Sequence, residues 1–301
     1  MTVGEPVQPK RPALAAVQPV GRPLWLLTPG LIWLAAFMIL PVCFMVAVSF
    51  WSSGYYGTQP DFTLKNYVRI FQSPLYLGQL LKTLRIGLEA TVLSLLISYP
   101  IAYLIARARG GFKALLILML FLPFWASYVV RAFVWLPILG RNGAINSGLM
   151  SMGVIDQPIE WLLYNEGSVL LGLVYVYTLF MALPIYMSLE KIDPKLIEAA
   201  ADLGARPLRV FVEVLLPLSM PGVVSGCIMV FLLTMSAYVT PQLLGGPQGI
   251  MAGNIIASQF LSSNDWAFGS ALSMVMIVVV MLLFLSVGRK TKVEQIFTGG
   301  A

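Results

Sequence analysis

The sequence has no histidine, only two cysteines and few charges, and each scarcity excludes a class of protein. Asp, Glu, Lys and Arg make up 11% of its 301 residues, against about a quarter in soluble domains, so a soluble globular protein is excluded. Cys43 and Cys227 both stand in apolar runs, and they are too few for a metal site or a disulfide framework. No G-x-x-x-x-G-K-[ST] motif occurs, so the chain lacks the P-loop with which ATPases hold phosphate.

Apolar residues dominate the composition. They form 58% of the chain, and the mean hydropathy is +0.85. Membrane helices suit such a composition because their backbone groups bond internally, and one span needs roughly 20 apolar residues. The sequence therefore predicts an all-α membrane protein with six transmembrane helices, at about 24–50, 79–106, 113–139, 167–189, 218–240 and 266–288.

The distribution of lysine and arginine predicts the orientation. With the N-terminus inside, 13 of the 19 basic residues fall in cytoplasmic segments, 3 fall in outside loops and 3 lie within or beside spans. Short cytoplasmic loops carry an excess of basic residues, so both termini are predicted to be cytoplasmic. The net charge of +6 then comes from basic residues at the cytoplasmic membrane surface, and no nucleic-acid partner is predicted.

The two ends of the chain differ from its middle. Residues 1–22 hold four prolines and three basic residues, which predicts a disordered cytoplasmic tail. No short apolar core with a cleavage site follows, so we expect no cleaved signal peptide. Residues 23–289 form the predicted six-helix transmembrane domain, and residues 290–301 form a cytoplasmic C-terminal tail.

The cytoplasmic loop at 190–217 is more elaborate than a connector requires. Asp193 is a good N-cap, with Pro194 at the first helical position. Gly204 fits the position that ends a helix, and Pro207 opens a second helix that runs to the membrane. One face of the first helix is polar and the other is formed by Leu196, Ile197, Ala200 and Leu203. From periodicity alone, an amphipathic connector packed on its own helix bundle remains an alternative.

The same loop resembles a known family signature. Its residues Glu198-Ala199-Ala200, Gly204, Val214 and Leu216-Pro217 have the spacing of the E-A-A-x3-G-x9-I-x-L-P signature of bacterial type I ABC importer permeases, with Val in place of Ile. The resemblance implies a loop that docks on a separate ATPase subunit. The residues expected to couple to that ATPase are Glu198, Ala199, Ala200, Asp202, Gly204, Leu216 and Pro217.

Further segments, 123–205, 215–225, 237–246 and 253–256, are similar to permeases of spermidine/putrescine importers. This resemblance implies the type I ABC importer permease fold in a bacterial inner membrane. It also implies a second homologous permease, two ATPase subunits that carry ATP and Mg, and a periplasmic solute-binding protein. The chain itself is expected to hold no cofactor and to be no enzyme. Its expected function is to move a small amine or polyamine from the binding protein to the cytoplasm by alternating access.

Two other classes compete with this interpretation. A secondary transporter driven by an ion gradient usually has several intramembrane acids or an internal repeat, whereas this sequence offers Glu89 as its one acid in a predicted span and shows no repeat. An integral-membrane enzyme would need histidine, metal ligands or a nucleophile with a base. The secondary transporter is the stronger of these alternatives.

Several side chains inside the predicted spans are candidates for the transport pathway. Arg131 lies within the third span, where an ionisable residue suggests a function. It could form a structural ion pair with Glu89, although Arg85 lies one turn away and competes for the same carboxylate. Alternatively, Arg131 could take part in gating. Helical spacing places Arg131 on one stripe with Phe124, Tyr128 and Trp135, for which packing against neighbouring helices is the alternative. Tyr238 is predicted near the outer end of the fifth span. The candidate pathway residues are therefore Tyr128, Arg131, Trp135, Tyr238 and Glu89.

Overall fold

The computed structural model describes residues 27–54 and 57–291, with side chains as far as residue 285. The predicted tail at 1–22 lies outside the described residues, as does most of the predicted tail at 290–301. The chain divides into two compact units, whose described parts are residues 27–45 and residues 46–54 with 57–291. In the first unit, helix α1 (Thr28–Leu34) and the start of α2 (Leu40–Ser49) are joined by a π-helical turn at Ala35–Ile39, and nearly all their apolar side chains are exposed.

Helices make up nearly all of the described secondary structure. They are α1 (Thr28–Leu34), α2 (Leu40–Ser49), α3 (Lys65–Gln72), α4 (Pro74–Arg107), α5 (Gly110–Phe121), α6 (Tyr128–Phe133), α7 (Trp135–Leu139), α8 (Ala144–Ser151), α9 (Glu166–Glu190), α10 (Pro194–Asp202), α11 (Pro207–Val210), α12 (Leu216–Met235), α13 (Val239–Leu244), α14 (Ala252–Leu261) and α15 (Trp266–Thr291). Two short strands, β1 (Ser52–Gly54) and β2 (Gly57–Gln59), pair antiparallel with Ser52 opposite Gln59. Short 3-10 turns lie at Leu122–Trp125 and Glu160–Leu162.

Among the described residues, five helices are long and apolar enough to cross a membrane, and a bent pair makes a sixth candidate span. The five are Thr28–Ser49, Pro74–Arg107, Glu166–Glu190, Pro207–Met235 and Trp266–Leu285; the bent pair is Gly110–Trp125 with Tyr128–Ser151. The predicted all-α membrane fold is therefore confirmed. The count of six holds only if the bent pair is taken as one span.

The third span is not the continuous helix that the sequence predicted at 113–139. Its two parts meet at an angle of 96°. Pro123 lies in a 3-10 turn, where its ring cannot continue the α-helical hydrogen bonding. Ala126 and Ser127 are extended, and Ser127 caps the next helix by accepting a hydrogen bond from the Val130 backbone N–H at 3.3 Å. The predicted single stripe of Phe124, Tyr128, Arg131 and Trp135 is therefore wrong, because these residues lie on three separate segments.

The fifth span also ends earlier than predicted, at Met235 rather than at residue 240. The Ser236 hydroxyl donates to the Leu233 carbonyl oxygen at 3.1 Å, a side-chain bond that competes with the helical ladder. The Tyr238 carbonyl accepts from Asn254 at 2.8 Å. Tyr238 thus precedes the separate helix α13 instead of lying on the span.

Helices α4, α9 and α12 form the main core of the second unit, with buried Ile86, Leu173, Met181, Ile185 and Val230 at its centre. Glycines let α12 approach α9 closely. A Cβ on Gly222 would overlap the Pro184 carbonyl oxygen, and one on Gly226 would lie 2.8 Å from the Met181 sulfur. These two helices therefore pack backbone against backbone.

Gly222→Val is expected to weaken this packing, because the clashing atom belongs to the backbone and overpacking typically costs about 1–3 kcal/mol. The apparent Tm of the purified protein should fall by about 2–12 °C. Gly78→Val is the matched control, since a Cβ there meets no atom of the described residues within 4 Å. Equal Tm values for the two variants would contradict the packing argument.

Candidate functional site

Local capping interactions shape the cytoplasmic loop 190–217. The Asp193 carboxylate accepts a hydrogen bond from the Lys195 backbone N–H at 3.0 Å, and Pro194 occupies the first turn of α10. The first N–H groups of a helix lack partners within the helix, and an N-cap residue followed by proline reduces the number left unpaired. The sequence pattern thus predicted the start of this helix correctly.

The other end of α10 is a Schellman turn. Gly204 has φ +80°, a left-handed conformation that glycine adopts without strain. Its N–H donates to the Ala201 carbonyl oxygen at 2.9 Å, and the Ala205 N–H donates to the Ala200 carbonyl oxygen at 3.1 Å. This pair of bonds defines the motif and fixes the angle at which the chain leaves the helix.

The second arm of the loop continues directly into a membrane span. Helix α11, a π-helical turn at Phe211–Leu215 and α12 follow one another without a break. Leu215 is buried, Leu216 packs against the main core, and Pro217 is exposed in the first turn of α12. The loop and the span therefore form one continuous helical segment from Pro207 to Met235.

Most of α10 is exposed. Glu198, Ala199 and Asp202 face solvent. Ile197 packs against the main core, whereas Leu196 is exposed and Leu203 is 89% exposed. An ordinary connector would bury this apolar face on its own bundle, so the structure leaves a partly apolar helix available to another protein.

Arg131 has surroundings that the sequence did not predict. The residue is 8% exposed, and its guanidinium carbon lies 4.1 Å from the centroid of the Phe124 ring. Its Nη1 donates to the Val176 carbonyl oxygen at a long 3.5 Å, and its Nε has no hydrogen-bond partner among the described residues. No carboxylate of the described residues lies within 4.0 Å of it, so the alternative of an ion pair with Glu89 is wrong and Arg85 holds that carboxylate instead.

Glu89 belongs to a different charge cluster. It forms an ion pair with Arg85 at 3.6 Å, the residue that the sequence indicated as a competitor of Arg131 for this carboxylate. Arg85 also pairs with Glu166, and Glu166 forms a second ion pair with Lys82 at 3.2 Å. Glu166 was missed because it precedes the apolar run, although an acid in the first turn of a helix is a recognisable signal.

The aromatic candidates lie in different surroundings. The Tyr128 hydroxyl is 3.0 Å from that of Thr240, and its ring stacks on Tyr177 at 6.4 Å. Trp135 meets the edge of Tyr175 at 5.5 Å and lines an apolar cavity of about 720 Å³. Tyr238 is 48% exposed at the start of α13. No group of metal-ligating residues occurs in the part of the chain that the structure describes.

Comparison with known proteins identifies the family. Residues 98–290 match the family of binding-protein-dependent transport system inner membrane components. The spermidine/putrescine transport system permease protein PotB of Escherichia coli (strain K12) is 37% identical, over 86% of this chain and 94% of the relative. PotB of Haemophilus influenzae is 38% identical, over 86% and 91%.

A solved structure shares the fold. The bacterial ABC transporter involved in the import of the acidic polysaccharide alginate has a chain that matches with a TM-score of 0.65 and 19% identity, covering 89% of this chain and 96% of that one. The chain therefore belongs to the family of binding-protein-dependent transport system inner membrane components and is a multi-pass, inner-membrane permease subunit of an ABC importer, a transport component rather than an enzyme.

Proposed function

We propose that this permease imports a small amine or polyamine of the spermidine/putrescine type. The observation that carries the proposal is the 37% identity with PotB over 94% of that protein's length. The chain is then one of two homologous permeases in a complex with two ATPase subunits and a periplasmic solute-binding protein. ATP and Mg bind to the ATPase subunits, and this chain holds no cofactor.

The loop 190–217 is proposed to couple ATP hydrolysis to transport. Exposed Glu198, Ala199 and Asp202 offer a docking face, and small alanines allow a partner to approach the backbone. Closure of the ATPase pair would displace α10. Because the loop continues into α12, and α12 packs on α9 through Gly222, the displacement would tilt both helices. The pathway between the two permeases would thereby open to the outside and accept substrate from the binding protein.

The substrate and the energy source can be tested together in proteoliposomes that contain the whole complex. We expect uptake of labelled spermidine or putrescine that requires the loaded binding protein and internal ATP, and that orthovanadate blocks. Uptake abolished by ionophores but insensitive to orthovanadate would favour the gradient-driven alternative. Vanadate-sensitive uptake of another solute class, with none of either polyamine, would contradict the substrate assignment alone.

Both termini are proposed to be cytoplasmic, and cysteine labelling tests this orientation. In a background with Cys43 and Cys227 replaced by serine, Asn142→Cys and Pro247→Cys introduce thiols at exposed positions of predicted outside loops. Both should react with a membrane-impermeant maleimide on intact cells. Lys191→Cys, exposed at the end of α9, should react only after the membrane is permeabilised. The reverse pattern would overturn the orientation.

A further inference from the structure

Four aromatic side chains make continuous ring contacts beside the break in the third span. We name Phe124, Tyr128, Tyr177 and Phe180 the aromatic cluster. Phe124 and Phe180 meet edge to face at 5.5 Å, Phe180 and Tyr177 lie 6.4 Å apart, and Tyr177 stacks on Tyr128 at 6.4 Å. The cluster thus joins the 3-10 turn after α5, the start of α6 and the middle of α9.

The cluster already holds a cation that belongs to the chain. The guanidinium of Arg131 lies over the Phe124 ring, with the long bond to Val176 as its one hydrogen bond among the described residues. Aromatic faces attract such cations, and the attraction strengthens as water is excluded. A buried charge normally has a counter-ion, yet none of the described carboxylates reaches Arg131. The charge is therefore held by a ring and a carbonyl, contacts that another cation could make equally well.

The cluster also borders open space. Phe124 lines the cavity of about 720 Å³ together with Trp135 and Tyr175, and that volume is typical of a small-molecule site. The ring that contacts Arg131 is thus also a wall of the cavity. Broken helices at membrane depth commonly carry transporter sites, and the C-terminal ends of half-helices favour cations. Phe124 stands in the turn that ends such a half-helix.

We propose that the aromatic cluster is a cation site on the transport pathway, and that Arg131 occupies it as an internal competitor of the substrate's ammonium group. The inference rests on the proposed polyamine function. Two unpaired cations repel strongly where water is scarce, so an entering ammonium group and the guanidinium cannot share the cluster. Arg131 therefore leaves Phe124 when the substrate enters, and returns to close the site when the substrate leaves.

The test is direct binding of tritiated spermidine to the purified, nucleotide-free complex without its binding protein. R131Q removes the competing charge, and we expect about tenfold tighter binding than in the wild-type complex, a gain that ring–cation contacts can supply. R131K keeps a charge and should show no gain. The double variant R131Q/F124L should lose the gain, whereas the matched control R131Q/F133L, which changes an exposed phenylalanine of α6, should keep it.

Each outcome decides the question. Wild-type affinity in R131Q, or a gain that persists in R131Q/F124L, overturns the competitor role. R131M, uncharged and of similar length, repeats the test, and loss of assembly in both R131Q and R131M would show that Arg131 is a packing residue. Uptake by the wild-type complex is measured alongside. No polyamine uptake overturns the proposed function and this inference with it, whereas normal uptake without a gain in R131Q overturns the inference alone.

Discussion

Gly204→Val is expected to abolish uptake while the protein still reaches the membrane at normal abundance. The left-handed conformation at φ +80° costs a residue with a Cβ about 1–2 kcal/mol, and a β-branched side chain fits it worst. A nine-residue helix such as α10 is marginal without its end contacts, so losing the Schellman turn should change its orientation. The rest of the fold should survive, because a Cβ at this position meets no atom within 4 Å in the part of the chain that the structure describes.

Asparagine provides the matched control for this prediction. Gly204→Asn adds a side chain of similar bulk, but asparagine adopts the left-handed conformation more readily than other non-glycine residues. We expect Gly204→Asn to retain most of its uptake, and Gly204→Val to keep ATPase activity that the loaded binding protein no longer stimulates. If the valine variant transports as well as the asparagine variant, the conformation of this turn is not needed for coupling.

Glu198→Lys examines the docking surface without disturbing the turn. Glu198 is exposed and makes no ion pair with a described residue, so reversing its charge should leave the stability of the fold nearly unchanged. We expect the ATPase subunits to dissociate more readily from this variant during purification. Glu213→Lys is a suitable comparison, because Glu213 already pairs with Arg209 at 2.9 Å on the same loop. Equal retention of ATPase by both variants would argue against docking at Glu198.

Features set by local interactions were predictable from the sequence. Asp193 and Pro194 start α10, and Gly204 ends it, because capping depends on residues within a few positions of one another. Glu166–Glu190 likewise begins and ends within one residue of the predicted apolar run. The pattern needed no knowledge of the neighbouring helices.

Features set by tertiary contacts were not predictable. Apolar composition does not distinguish a straight span from a broken one, so the bend after Trp125 was missed although Pro123 was a visible signal. The partners of Arg131 depend on that bend, which brings the guanidinium over Phe124 and beside α9. A search for charges along the sequence could offer only Glu89, which lies with Arg85 instead.

Tyr128→Leu is expected to reduce uptake strongly, with a smaller effect on assembly. The substitution removes both the stack on Tyr177 and the contact with the Thr240 hydroxyl. If the ring contacts the substrate's ammonium group, its loss should cost up to roughly 2 kcal/mol, or about 30-fold in uptake at low substrate. Uptake is measured in proteoliposomes with the loaded binding protein in excess, and assembly is measured by retention of the ATPase subunits.

Tyr128→Phe separates the ring from the hydroxyl. The phenylalanine variant keeps the stack on Tyr177 but loses the hydroxyl contact that joins α6 to α13. If the ring lies on the pathway, uptake should be nearly normal in Tyr128→Phe and strongly reduced in Tyr128→Leu. If Tyr128→Phe reduces uptake as much as Tyr128→Leu, uptake depends on the hydroxyl contact with Thr240, and Tyr128 positions the two short helices.

Trp135→Leu and Tyr238→Leu extend the test to the cavity wall and the start of α13. If all three leucine variants transport polyamine at the wild-type rate, these aromatic residues serve packing and the substrate crosses elsewhere between the two permeases.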